Sequence, residues 1–65
     1  MNQIYKNNIH MLAKKIRERR IKQKITVKEL SIRANVSEST IYMLEHLKSI
    51  PKLQTIHKLI KSIEL

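Results

Sequence analysis

The chain has 65 residues, which allows one domain with a small core, because a domain of about 60 residues buries only ~60% of its unfolded surface. It has no Cys, which excludes disulfides and thiolate metal sites. Fourteen Lys and Arg against five acidic residues give a net charge of +9, which favours a polyanionic partner, nucleic acid first and an anionic membrane surface second.

Aliphatic residues must build the core, since the chain has eleven Ile and seven Leu but no Phe and no Trp. It also has no Gly and a single Pro, so its turns depend on Asn, Lys, Ser and Leu. Every apolar run is too short to span a bilayer, and no signal peptide precedes the first helix. We therefore expect a cytoplasmic protein without a membrane partner.

A first helix is predicted over residues 8–23, where apolar residues recur at helical spacing. Its apolar face consists of Ile9, Leu12, Ala13 and Ile16. The other faces are basic and carry Lys14, Lys15, Arg17, Arg19, Arg20 and Lys22. Lys24 stands where a left-handed residue is expected to end this helix.

The start of this helix is placed near Asn8, because an Asn is a favourable capping residue. The spacing of Tyr5 and Ile9 also allows a start as early as Asn2. Residues 1–7 are therefore either a flexible N-terminal extension or the beginning of the helix.

A second helix is predicted over residues 27–34, because its start carries two local signals. Thr26 and Glu29 form a capping box, and Ile25 and Leu30 stand at the positions of a hydrophobic staple.

A third helix is predicted over residues 38–46, directly after a short turn. Asn35 suits the left-handed end of the second helix, and Ser37 suits the cap of the third. Val36 and Ile41 form a second staple pair. Two short helices with almost no loop between them are typical of a helix-turn-helix.

The apolar spacing predicts which sides of these two helices lie inside. The inward residues are Leu30, Ala34, Val36, Ile41 and Leu44. The outward residues of the third helix are Glu38, Ser39, Tyr42, Met43 and His46. On a basic domain, such an outward face is where a DNA-binding surface would lie, although an ordinary solvated helix pair has the same pattern.

A fourth helix is predicted over residues 52–63. Pro51 suits its first turn, and Ile50 precedes a proline and so cannot easily continue a helix. The predicted buried stripe is Leu53, Ile56, Leu59, Ile60 and Ile63. Lys52, Lys58 and Lys61 then face water. We expect an all-α fold over residues 8–65, a compact four-helix domain with a central helix-turn-helix.

From about Leu12 to Ile63 the chain resembles the lambda-repressor/Cro-like, or XRE-type, helix-turn-helix family of small bacterial and phage regulators. The similarity is carried by IRERR at 16–20, IT at 25–26, LSIRANVS at 30–37, STIYMLE at 39–45, and LQTIHKLIKSI after the proline. It implies the predicted fold and the binding of double-stranded DNA by a bacterial or phage-encoded protein.

The resemblance also implies an ion pair between Arg20 and Glu45, since members of this family often have an Arg late in helix 1 and a Glu at the end of the recognition helix. A guanidinium can bind a carboxylate through two parallel hydrogen bonds, which would fix the angle between the helices. Two solvated surface charges are the alternative.

The chain departs from the family pattern in four places. Val27 replaces the usual Gln at the start of helix 2, and Leu47 and Lys24 replace frequent Gly residues. Residues after the fourth helix are too few for the fifth helix found in many relatives, so we expect a four-helix domain without it. The departure at Leu47 implies a different or strained loop, and the lack of the fifth helix leaves the mode of dimerisation open.

Four outward residues of helix 3 are the candidates for base contacts: Glu38, Ser39, Tyr42 and Met43. A Glu near DNA would accept a hydrogen bond from cytosine N4, and Ser can donate or accept. Tyr42 and Met43 offer apolar surface to thymine methyl groups, and Tyr42 could instead bind a phosphate. Solvent exposure of Glu38 and a core or dimer contact of Met43 are the alternatives.

Phosphate contacts are expected from both sides of this helix. Free N–H groups at the start of helix 2 can bind a phosphate. The candidates are Thr26, Val27, Lys28, Ser37, Lys48, Ser49 and Lys52. A single exposed Lys more often serves only solubility, so it is the cluster of these residues that indicates phosphate binding.

We expect a homodimer on a pseudo-palindromic operator, because one subunit offers few base contacts. Leu47, Ile50 and Leu65 are apolar residues without an obvious place in the core, and Leu47 and Ile50 are the candidate dimer contacts. The predicted function is sequence-specific DNA binding by a transcriptional regulator, a repressor.

The main alternative is a helix-turn-helix accessory or antitoxin-type module whose partner is another protein, which Val27 and the scarcity of Asn, Gln and Arg on the outward face favour slightly. A cationic amphipathic membrane binder is disfavoured by the capping signals. His10, His46 and His57 are not spaced as a metal set. We therefore expect no enzyme, no metal, no cofactor and no small-molecule ligand.

Overall fold

The computed structural model describes the backbone of residues 3–63 and the side chains of residues 8–63. It contains four helices and no strand within that range, which confirms the predicted all-α fold. The helices are α1 (Gln3–Lys22), α2 (Val27–Ala34), α3 (Glu38–Glu45) and α4 (Leu53–Ile63). Residues 1–2 and 64–65, including Leu65, lie outside the described residues.

The first helix begins at Gln3, so the predicted start near Asn8 is wrong. Neither Gly nor Pro interrupts the segment before Asn8, and the spacing of Tyr5 and Ile9 continues the helical pattern toward the N-terminus. Residues 3–7 thus belong to α1, as the second interpretation of this segment proposed.

Both predicted N-terminal caps are confirmed. The Thr26 hydroxyl accepts a hydrogen bond from the backbone N–H of Glu29 at 3.0 Å. The Ser37 hydroxyl accepts one from the backbone N–H of Thr40 at 3.1 Å. Each bond pairs one of the N–H groups that a helix start leaves without an intrahelical partner. Local bonds therefore define where α2 and α3 begin.

Three of the helices are followed by a non-glycine residue with left-handed backbone, with φ of 59° at Lys24, 55° at Asn35 and 57° at Leu47. At each place a backbone N–H bonds back across the helix end: Ile25 to Arg20, Val36 to Ser31 and Lys48 to Met43. This pattern ends a helix sharply and pairs its last carbonyls. Leu47 thus takes up the strain that the loss of the family's Gly implied.

The core lies between all four helices, since α2 packs on α3 and α4, and α1 packs on the same two. The buried apolar residues are Ile9, Ala13, Ile16, Ile25, Leu30, Ala34, Ile41, Leu44, Ile56, Leu59 and Ile63. Partly buried residues packed against them are Leu12, Val27, Val36, Ile50 and Ile60. Burial of Ile41 and Leu44 fixes which side of α3 faces outward.

The start of α4 differs from the prediction. Leu53 is 68% exposed rather than part of the buried stripe. It is the first residue of the helix and lines an open surface depression with Leu12 of α1 and Ile56 of α4, so it borders the core without being covered. Pro51 lies before the helix, and the Lys52 carbonyl accepts from the N–H groups of Thr55 and Ile56 at 3.0 and 3.2 Å.

One interhelix contact has no counterpart in the sequence patterns. The side-chain amide of Gln23 donates to the backbone carbonyl of Ile63 at 2.9 Å, which joins the end of α1 to the last turn of α4. The bond pairs a carbonyl that the helix end leaves free. Across residues 3–63, none of the helices has the length and apolar character needed to cross a membrane.

Candidate nucleic-acid interface

The outward side of α3, here called the recognition face, consists of Glu38, Ser39, Tyr42, Met43 and His46. All are exposed except Met43, which is half-buried. Tyr42 exposes 52% of its surface, while the neighbouring Ile41 is completely buried. The helix is therefore anchored on its inner side and free on the other, as a helix that enters a DNA groove must be.

A surface depression joins the recognition face to the segment that follows α3. It is lined by Ser39, Thr40 and Met43 of α3, Thr55 of α4, and Ser49, Pro51 and Lys52 between the two helices. The structure thus brings two predicted base-contact residues, Ser39 and Met43, beside two predicted phosphate-contact residues, Ser49 and Lys52. Glu38 and Tyr42 do not line this depression.

The remaining predicted phosphate contacts are exposed with one exception. Thr26, Lys28, Ser37 and Lys48 lie at the surface. Val27 is half-buried and packs against the core, so its side chain is not available to a ligand. Because Thr26 already accepts from the N–H of Glu29, the N–H groups of Val27 and Lys28 are the donors at the start of α2.

Arg20 and Glu45 form a two-bond ion pair beneath the recognition face. The Arg20 Nε donates to Oε2 of Glu45 at 2.8 Å, and Nη2 donates to Oε1 at 2.9 Å. The Arg20 Nη1 also donates to the backbone carbonyl of Ile25 at 2.8 Å. One guanidinium therefore links α1, the residue before the cap of α2, and the last residue of α3.

The pair is largely withdrawn from water, with only 3% of the Glu45 side chain exposed. The hydrogen bonds to Glu45 raise the pKa of Arg20, assisted by the carboxylate charge and opposed by burial. Within the described residues, no buried side-chain nitrogen or oxygen lacks a hydrogen-bond partner. The two parallel hydrogen bonds fix the geometry between α1 and the end of α3.

A second contact on the recognition face was missed from the sequence. The rings of Tyr42 and His46 pack together with centroids 4.1 Å apart and planes inclined by 38°. The two residues are separated by four positions, so their helical spacing was a signal for such a contact.

The two candidate dimer residues lie in different environments. Leu47 is 49% exposed. Ile50 is half-buried and packs against the core, so the expectation that it has no place there is wrong. Both residues line a depression with His10 of α1. Among residues 3–63, no three His, Asp or Glu side chains come together as a possible metal site.

The profile of the helix-turn-helix family matches residues 16–64, which include the end of α1 and all of α2, α3 and α4. No curated protein and no solved structure matches the chain significantly. The family consists of DNA-binding domains of transcription regulators and is not typically catalytic. The matched region contains the two capped helices, the turn between them and the exposed face of the second. The chain belongs to the helix-turn-helix family, in its Cro/XRE-like branch.

Proposed function

We propose that the protein is a transcriptional repressor that binds a specific double-stranded DNA sequence as a homodimer, with α3 in the major groove of each half-site. The observation that carries the proposal is the orientation of α3, whose inner side is held by Ile41 and Leu44 while Ser39 and Tyr42 lie exposed. A B-DNA major groove accommodates one such helix. Repression by occupying an operator requires no surface beyond those that bind DNA and the second subunit.

Base contacts are assigned by the chemistry of the exposed side chains. Glu38 accepts a hydrogen bond from an exocyclic amine such as cytosine N4, and Ser39 donates or accepts. Tyr42 packs its ring against a thymine methyl group. Met43 is half-buried beside Ser39, so we assign it a smaller contact through its exposed part.

Phosphate contacts set the register of the protein on DNA and carry no sequence information. The N–H groups of Val27 and Lys28 and the Thr26 hydroxyl bind one strand at the start of α2. Ser37, at the start of α3, and Lys48, Ser49 and Lys52, on the segment that borders α3, bind backbone phosphates beside the groove. The exposure of these polar side chains supports the assignment.

The decisive experiment is selection from a random duplex library at a stated salt concentration. The wild-type protein should enrich a defined two-fold motif, because a dimer places two copies of α3 one helical turn apart. Ser39→Ala and Tyr42→Ala should change base preference within the half-site. Ile32→Ala, which trims an exposed apolar side chain of α2, is the matched control and should leave the motif unchanged.

Failure to enrich any motif would contradict the proposal. It would favour the accessory or antitoxin-type alternative, in which the same domain binds another protein and does not select a base sequence.

The dimer is tested separately through Leu47. Its side chain is about half exposed, and it is the candidate dimer residue that does not pack against the core. Leu47→Lys should reduce both the sedimenting mass at micromolar concentration and the affinity for a two-site duplex, while affinity for a single half-site is retained. Ile32→Lys introduces the same charge on α2 and should change neither. An unchanged mass for Leu47→Lys would show that Leu47 is not at the interface.

A further inference from the structure

The recognition face contains two aromatic rings, those of Tyr42 and His46, which pack against each other. His46 is the residue that ends α3, and its backbone N–H donates to the carbonyl of Tyr42 at 3.0 Å. The next two residues are also fixed, since the N–H of Leu47 bonds to the carbonyl of Leu44 and that of Lys48 to Met43. The main chain on both sides of His46 is therefore held.

The direction of helical side chains explains how the rings meet. Each Cα–Cβ bond tilts toward the helix N-terminus, so a side chain covers the turn that precedes it. The ring of His46 thus lies back over the turn that carries Tyr42, which gives the 4.1 Å separation of the ring centroids. Tyr42 lies inside α3, so its main chain is held as well, and what the contact restricts is the orientation of its exposed ring.

We propose that His46 is a positioning residue for DNA recognition, which holds the ring of Tyr42 in one orientation on the recognition face and so restricts the base edge that this ring can meet. This inference rests on the proposed function. An exposed Tyr without a neighbour samples several staggered rotamers, and a DNA contact would have to order it. A ring that is already ordered loses less conformational freedom on binding.

The contact could instead serve only to stabilise the end of α3, as aromatic side chains four positions apart do in other helices. The two roles differ in what they change. Loss of a purely stabilising contact lowers the unfolding temperature and weakens binding to every duplex alike. Loss of a positioning contact alters the preference among bases at the base pairs that Tyr42 meets.

The experiment compares His46→Ala, His46→Phe, Tyr42→Ala and the double variant Tyr42→Ala/His46→Ala in the full chain. His57→Ala, which removes an exposed His from α4, is the matched control. Each protein is taken through the duplex-library selection, its affinity for the wild-type motif is measured, and its thermal unfolding is recorded by circular dichroism.

His46→Ala should weaken binding to the wild-type motif about two- to tenfold, the range expected when one more side chain must be ordered on binding. It should broaden base preference at the positions that Tyr42→Ala also broadens. His46→Phe should restore the preference, because it keeps a ring. In the Tyr42→Ala background, His46→Ala should cause no further change in preference.

The inference is overturned if His46→Ala retains the wild-type base preference, or if it weakens all duplexes equally with and without Tyr42. Either result leaves the proposed function standing, provided that the wild-type protein enriches a motif. If the wild-type protein enriches none, the proposed function and this inference fail together.

Discussion

At the scale of single residues, the absence of Gly determines how the helices end. Lys24, Asn35 and Leu47 all adopt left-handed backbone. Asn tolerates this conformation better than most residues, whereas for other L-residues it costs roughly 1–2 kcal/mol. Lys24 and Leu47 are therefore local sites of strain in a small domain.

Replacing Lys24 by Gly should stabilise the protein by about 1 kcal/mol, because Gly adopts positive φ without a steric penalty. The midpoint of thermal unfolding should rise by roughly 4–8 °C. Lys15→Gly is the matched control, since Lys15 is an exposed residue inside α1 and the same substitution there should destabilise by up to about 1 kcal/mol. If both variants, or neither, stabilised the protein, the inference that Lys24 is strained would be wrong.

The Arg20–Glu45 pair should be sensitive to the loss of one partner. Glu45→Leu alone leaves the Arg20 guanidinium without its carboxylate and should cost about 3–5 kcal/mol, which approaches the whole stability of a domain of this size. The double variant Arg20→Met/Glu45→Leu should be less destabilised than Glu45→Leu, because neither charge is left unpaired. Urea unfolding monitored by circular dichroism measures both.

The pH dependence of this contribution follows from its sign. The pKa of Arg20 is raised in the folded protein, so its stabilising effect is fully present below the ordinary guanidinium pKa and is lost only as pH rises through the higher folded value. The part of the difference in unfolding free energy between wild type and Arg20→Met that comes from titration of the guanidinium should therefore be constant through the neutral pH range.

At the scale of elements, the helices that were predicted best are those defined by local signals. Thr26 and Ser37 indicated the starts of α2 and α3, and both residues cap those helices in the structure. The start of α1 was misplaced because an Asn can be a cap or an ordinary helical residue, and its sequence does not decide between them. The exposure of Leu53 depends on where α4 begins and on how much of its first turn the other helices cover, which the apolar spacing cannot show.

The cap of α3 supplies a prediction at this scale. Ser37→Ala should destabilise the protein by about 0.5–2 kcal/mol, whereas Ser37→Gly should cost only a few tenths. Ser49→Ala is the control, because Ser49 is exposed outside the helices and its loss should stay within about ±0.5 kcal/mol. Equal effects of Ser37→Ala and Ser49→Ala on the urea midpoint would mean that the cap contributes little.

Contacts between elements were predictable only in part. The Arg20–Glu45 pair was expected from the family resemblance, since composition and spacing cannot pair two residues 25 positions apart. The Tyr42–His46 contact lies within one helix, so its spacing was sufficient to suggest it. The bond from Gln23 to the carbonyl of Ile63 depends on how α1 and α4 finally pack, and no local pattern indicates it.

At the scale of the whole molecule, the net charge of +9 should make DNA binding depend strongly on salt. If each subunit neutralises about four to six phosphates, the logarithm of the binding constant should fall with the logarithm of salt concentration at a slope of roughly −4 to −5. The exposed Lys residues are not equivalent in this respect, because a few border the recognition face.

Lys52→Ala should reduce the magnitude of that slope by about 0.9 per subunit, since Lys52 lies beside Ser39 in the surface depression. Lys61→Ala removes the same charge next to Arg33, at the other end of α4, and should leave the slope nearly unchanged. Titration of the selected duplex at several salt concentrations measures both slopes. Equal changes would show that net charge, and not the position of Lys52, determines the salt dependence.

The three hydrogen bonds of Arg20 join the entry of α2 to the exit of α3. If either helix opens alone, it releases the guanidinium that also binds the other, so both should fluctuate as one cooperative unit. In native-state hydrogen exchange, the slowest amides of α2 and α3 should share one opening free energy. In Glu45→Gln those amides should lose protection together, and markedly different opening free energies in the wild-type protein would show that the two helices open independently.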